Sequence, residues 1–124
     1  MKNVLLAEDD YIIVEVFKDI IQESGHKVVA VAHTCDDTIR LARETRPDVI
    51  FLDISMDYKT AGIDACKTIK DELPEITVYF LSAYEKEAYA EELKDTHADG
   101  YIDKMDFARV VNDLLTKKSL PQRP

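Results

Sequence analysis

The sequence predicts an α/β domain built on a doubly wound, five-stranded parallel sheet of order 2-1-3-4-5. Three observations predict it. Short, nearly continuous apolar runs recur along the chain, as expected for strands buried on both faces. Each run is followed by a stretch with helical periodicity. Several of the runs lead directly into polar residues: Val4-Leu5-Leu6-Ala7 into Glu8-Asp9-Asp10, Val49-Ile50-Phe51-Leu52 into Asp53, Val78-Tyr79-Phe80-Leu81 into Ser82, and Tyr101-Ile102, through Asp103, into Lys104. In open α/β sheets ligands bind beyond the carboxyl ends of the strands.

Residues 3–7 read as the first strand. Residues 11–24 carry the helical stripe Ile13, Val16, Phe17, Ile20 and Ile21, and Gly25 is placed to stop the helix. Residues 28–32 form the second strand. Thr34 or Asp36 is suited to cap the next helix, which reaches about Thr45; Arg46-Pro47 ends it, because the residue before proline avoids the helical region. Residues 49–53 are the third and most apolar strand, followed by a loop over 54–60.

A helix from Ala61 to Glu72 is expected to bury Ala65, Cys66, Ile69 and Leu73, with the fourth strand over 76–82. Residues 85–96 read as a weakly amphipathic, acidic helix, and Gly100-Tyr101-Ile102 as a short fifth strand. The last helix begins near Asp106, a candidate N-cap, and shows an apolar face of Phe107, Val110, Val111, Leu114 and Leu115. Right-handed crossovers make the first and third strands neighbours. Glu8, Asp9 and Asp53 then lie side by side.

Three close carboxylates repel one another, so the cluster calls for a cation or a raised pKa. Mg²⁺, or Mn²⁺, suits such oxygen ligands. Asp9 and Asp53 are the expected direct ligands, Glu8 acts beside them or through water, and the Ser55 backbone carbonyl is available to add one oxygen. An Asp beside the metal is also a nucleophile toward phosphorus. The metal and Lys104 neutralise charge on a transferring phosphoryl group, and the Ser82 hydroxyl hydrogen-bonds its oxygens.

The bulk composition narrows the partners. The 124 residues fit one domain, 46% of them apolar. With 25 acidic against 16 basic residues the net charge is −9, which disfavours direct binding of nucleic acid or of an anionic membrane. Cys35 and Cys66 have no metal-ligand spacing and read as reduced thiols of a cytoplasmic protein.

The motifs Leu6-Ala7-Glu8-Asp9-Asp10, Phe51-Leu52-Asp53-Ile54-Ser55-Met56, Phe80-Leu81-Ser82-Ala83 and Gly100-Tyr101-Ile102-Asp103-Lys104 resemble, in order and spacing, the receiver domain of two-component response regulators. The resemblance spans Asn3 to about Lys117 and implies the flavodoxin-like receiver fold over residues 1–118, with 119–124 as a tail or the start of a linker. It implies Asp53 as phosphoacceptor, Glu8 and Asp9 as the acidic pair, Ser82 as switch hydroxyl, Tyr101 as switch aromatic and Lys104 as the family's lysine. The chain departs from the family where Asp57 replaces the usual proline after Met56, where the loop from Asp53 to Gly62 is one residue longer, and where Met105 replaces the proline after Lys104.

A receiver takes its phosphoryl group from a histidine kinase or histidine phosphotransfer protein and catalyses only its own phosphorylation and dephosphorylation. His26, His33 and His97 lack the setting of a donor histidine. The output is expected through the face of residues 85–117, toward another protein or a second copy of the chain. Tyr84, two residues after Ser82, is bulky enough to shield the phosphoryl group from water, whereas Ser55 is not. An aspartate-nucleophile phosphohydrolase of the haloacid dehalogenase type is a competing reading. It places Asp-x-Asp at its first strand and needs a cap over its substrate, and neither is found here. A receiver-like scaffold that is never phosphorylated would not need the full acidic set with Lys104.

Overall fold

A computed structural model describes residues 1–83 and 85–116; the side chains of residues 85, 86 and 114–116 lie outside that description. The elements are β1 (Asn3–Ala7), α1 (Tyr11–Glu23), β2 (Lys27–Ala32), α2 (Cys35–Thr45), β3 (Val49–Asp53), α3 (Ala61–Glu72), β4 (Thr77–Ser82), α4 (Glu85–Ala88), α5 (Ala90–Lys94), β5 (Gly100–Asp103), a 3₁₀ turn (Lys104–Asp106) and α6 (Phe107–Thr116). The strands are all parallel, in the order β2-β1-β3-β4-β5. The register pairs Ala7 with Leu52, Asp53 with Leu81 and Ser82 with Asp103. The residues just past β1 and β3 therefore emerge at one edge.

Successive strand residues point to opposite faces, and each face has its own core. Val4, Leu6, Val49, Phe51, Tyr79 and Leu81 pack with Phe17 and Ile21 of α1 and Phe107 and Val111 of α6. Phe17 stacks on Phe107 at 3.9 Å, and Phe107 meets Phe51 edge-on at 5.1 Å. Leu5, Ala7, Ile50, Leu52, Val78 and Phe80 pack on the other face with Ala42, Ala65, Cys66, Ile69 and Leu93. Burial on both faces explains why β3 is apolar along its whole length until Asp53.

Local signals set most boundaries. Asp10 caps α1 by accepting from the Ile12 and Ile13 amides, Gly25 follows it at φ 86°, and Thr34, rather than Asp36, caps α2 by accepting from Asp37 N–H. Four readings need correction or fall outside the description. On α1 the buried stripe is Val14, Phe17 and Ile21, while Val16 is half exposed, because the helix turns its Val14 side to the sheet. Residues 85–96 do not form one helix: a turn at Tyr89 separates α4 from α5, the segment having only Leu93 as a fully buried apolar anchor among its described side chains. Asp106 lies inside the 3₁₀ turn and does not cap α6; Asp103 caps that turn by accepting from Met105 N–H. The faces assigned to Leu114 and Leu115, the shield assigned to Tyr84 and the tail 119–124 lie outside the described residues. Among the described residues every peptide bond is trans, and no helix is long and apolar enough to cross a membrane.

Candidate functional site

The register of β1 against β3 carries Glu8 alongside Asp53. Carboxylate oxygens of Glu8, Asp9 and Asp53 all lie within 4.8 Å of one another. Glu8 and Asp53 are almost wholly buried, at 1% and 3% exposure, while Asp9 faces solvent. Asp10, the third acid of the run, is spent on capping α1, and its own N–H donates to Glu8 Oε1 at 3.2 Å. His33 Nδ1 donates to the Glu8 carbonyl at 2.9 Å, which fixes the backbone behind the carboxylate.

Lys104 completes the cluster from the far end of β5. Its Nζ sits 3.0 Å from Glu8 Oε2 and 3.2 Å from Asp53 Oδ1. These are ion-pair approaches without hydrogen-bond alignment, and they leave both buried oxygens short of a directed partner. Burial and then the neighbouring Glu8 hold the Asp53 carboxyl well above the ordinary carboxylate range, against the pull of Lys104. Burial draws the Lys104 ammonium down, but Asp53 and Glu8 outweigh it and keep it above the ordinary lysine value. With all three carboxylates ionised, the state a bound cation favours, they exceed the one ammonium by two negative charges. A divalent cation matches that excess, and the under-partnered buried oxygens are of the type it binds. The residues therefore fit Mg²⁺ or Mn²⁺.

Ser82 ends β4 and is buried; it lines a cavity of about 360 Å³ together with Ala83, Tyr101, Ile102, Asp106 and Arg109. Tyr101 is half-buried, stacks on Phe80 at 5.8 Å between ring centres, and shares a hydrogen bond with Thr96. Its ring is thus already turned partly into the molecule. Ser55 donates its hydroxyl to the Lys59 carbonyl at 2.7 Å, closing the loop after Asp53 on itself.

The chain thus brings Glu8, Asp9, Asp53 and Lys104 into contact, and it places Ser82 and Tyr101 along the adjoining strand ends. Two residues that support the site escaped the reading of motifs. Gly62 lies where α3 meets the end of β3, and an added Cβ there would overlap the Asp53 carbonyl oxygen; its N–H donates to the Ile54 carbonyl at 2.8 Å. The glycine was visible in the sequence, but the close approach that requires it was not. Asp57 reaches across to α2, where its Oδ1 accepts from Cys35 N–H at 2.9 Å. Its departure from the family's proline was a signal without a partner until the fold supplied one.

Comparison with known proteins agrees with this geometry. A family model described as the response regulator receiver domain matches residues 4–115. The polar-differentiation response regulator DivK of Brucella anthropi is 30% identical over 105 residues, covering 83% of this chain and 84% of that protein. Among solved structures, the response regulator domain of Thermotoga maritima CheB is 31% identical with a TM-score of 0.76, covering 91% of this chain and 90% of its own. The receiver domain of AraT, a response regulator from Geobacillus stearothermophilus, is 30% identical with a TM-score of 0.75, covering 90% and 91%.

Proposed function

The chain belongs to the response regulator receiver family, and from that membership we propose that it is a phosphorylation-dependent switch whose acceptor is Asp53. The observation that carries the reading is the buried Asp53 carboxylate, set against Glu8, Asp9 and Lys104 with an oxygen left without a directed partner.

The donor is a phosphohistidine on a histidine kinase or a histidine phosphotransfer protein. A carboxylate oxygen of Asp53 attacks phosphorus, the new O–P bond forms as the N–P bond breaks, and the electron pair of that bond returns to the donor imidazole. Glu8, Asp9, Asp53 and the Ser55 carbonyl would hold Mg²⁺, which would supply charge neutralisation at the phosphoryl oxygens. Lys104 adds its ammonium to the same oxygens. Ser82 donates its hydroxyl to one of them. Water later attacks the acyl phosphate and returns Asp53 and inorganic phosphate, so the chemistry is confined to the chain's own phosphorylation and dephosphorylation.

Exposed apolar side chains next to these residues support docking of a donor protein in the cytoplasm. Tyr11 and Ile12 are 73% and 77% exposed just beyond the acidic run, and Met105 is 92% exposed just beyond Lys104. Output passes through the face of residues 85–116, where Ser82 and Tyr101 share a cavity wall, toward an effector protein or a second copy of the chain.

The test is intact-mass measurement with acetyl phosphate, with and without Mg²⁺. The wild-type protein gains one phosphoryl group only with the metal, and Asp53→Asn gains none. Labelling that persists in Asp53→Asn removes Asp53 from the role.

A further inference from the structure

The loop over residues 54–60 carries the Ser55 carbonyl and is fixed at three kinds of point. Inside the loop, the Ser55 hydroxyl donates to the Lys59 carbonyl at 2.7 Å, and the Tyr58 carbonyl accepts from the Met56 and Ala61 amides at 3.2 Å each. At its exit, Gly62 N–H holds the Ile54 carbonyl. In its middle, Met56 packs into the core, and the polar ties to the rest of the molecule run through Asp57 and Tyr58, both of which meet Cys35.

Cys35 is the first residue of α2, so its N–H is one of the amides that a helix leaves without an internal partner. The Thr34 hydroxyl caps Asp37 N–H and leaves Cys35 N–H to a partner from elsewhere. Asp57, 22 residues away in the chain, takes it at 2.9 Å, with its negative charge at the positive end of α2. Beside it the Cys35 thiol neighbours the Tyr58 hydroxyl, which donates its proton to Asp64 Oδ2 at 2.7 Å. Asp57 itself is on the surface and belongs to no buried cluster.

We propose that Asp57 is a positioning residue of the metal and phosphoryl site: by capping α2 at Cys35 N–H it clamps the loop after Asp53 and so holds the Ser55 carbonyl in place for the cation. The proposal rests on the reading of Asp53 as a metal-assisted phosphoacceptor. It assigns a function to the position where the chain departs from the family's proline. A proline there would stiffen the loop through its own fixed φ; here the stiffness comes from a bond to a neighbouring helix.

Two variants remove the same bond from its two ends. Asp57→Ala deletes the acceptor. Cys35→Pro deletes the donor where the backbone admits a proline, since the first helical position accepts one and Thr34, at φ −135° and ψ 164°, already has the extended backbone that must precede it. Because this change also replaces a buried side chain, Cys35→Ser, which keeps the N–H, is measured beside it as the control. Mg²⁺ alone is titrated into each metal-free protein and followed by backbone amide shifts. The bond is at the surface and reaches the cation only through the loop, so each variant that deletes it should weaken Mg²⁺ binding about three- to ten-fold. Asp57→Asn, which keeps a side-chain oxygen, should recover most of the affinity. The double variant should be no weaker than the weaker of the two single ones. In the metal-free Asp57→Ala protein, the Cys35 amide should exchange with solvent faster while amides of β1 and β3 do not.

A merely structural cap would lower the melting temperature and leave the Mg²⁺ affinity unchanged, which overturns the proposal. Additive losses in the double variant overturn it as well. If the wild-type protein itself binds no Mg²⁺ and gains no phosphoryl group, the reading of the site falls, and this outcome is distinct from a wild type that does both while Asp57→Ala matches it.

Discussion

The two halves of the sheet edge are built differently. Around β3, the strand is buried along all five residues, α3 follows as one helix of 12 residues with six of them buried, and Gly62 presses that helix against the Asp53 backbone. Around β4 and β5, the following helical segment is split into pieces of four and five residues, and β5 has only two buried residues, Gly100 and Ile102. The first half holds the proposed acceptor still. Beyond β4, which is itself buried at five of six residues, the second has little burial to commit it to one arrangement, so a modest local charge change is able to bias it. A switch needs both: a site that does not yield and a face that does.

Gly62→Ala should break the rigid half most severely. The added methyl meets backbone rather than a movable side chain, so β3 and α3 must separate, at a cost of about 3 kcal/mol. Denaturant unfolding should show that loss, and phosphoryl uptake from acetyl phosphate should fall with it. Leu93→Ala strikes the yielding half. A buried leucine truncation costs about 2 kcal/mol at the low end of its range, because a five-residue helix collapses into the space easily. Hydrogen exchange should rise across residues 85–103 and stay unchanged in β1 and β3; a rise in both halves would mean that the two are one cooperative unit.

Ser82→Ala sharpens the comparison without costing much stability. Asp53 should still accept a phosphoryl group, within about ten-fold of the wild-type rate for loss of one hydrogen bond. The amide shifts of residues 85–116 on phosphorylation should be largely lost. Full shifts in Ser82→Ala would show that the relay bypasses the hydroxyl. The smallest effect is expected away from the strand-end cluster, at the paired surface groups of α2 and α3. Arg43 donates to Glu72 at 2.8 and 2.6 Å and holds its carboxyl below the ordinary value. A carboxyl lowered in the folded state stabilises above its unfolded value, near 4.5, and loses that contribution as pH falls through the folded value. Melting temperatures of wild type and Glu72→Gln should therefore differ slightly at neutral pH and converge in acid. The gap is small because both groups are solvent-screened.

Much of the fold was legible because it is written locally. Apolar runs, helical periodicity and caps such as Thr34 depend on residues within a turn or two of one another. Those runs, with right-handed crossovers, suffice for the order β2-β1-β3-β4-β5 and for the meeting of Glu8, Asp9 and Asp53 at one edge. The failures were also local in origin. Residues 85–96 carry a helical composition but too few apolar anchors to hold one helix, and nothing in their own spacing places the break at Tyr89.

The rest was decided by contacts between residues distant in sequence. Lys104 reaches Glu8 and Asp53 only because β5 ends beside β4 at the same edge. Gly62 is required by the Asp53 carbonyl, which only the packing of α3 on β3 brings within reach of a Cβ. Asp57 finds Cys35 N–H because α2 starts next to the loop after β3, and the helix end offers an amide with no partner of its own. Sequence alone determined which residue types stand at the strand ends. Tertiary structure decided how far apart they lie and what holds them there, because a distance between elements depends on how whole faces pack and not on the residues beside it in the chain.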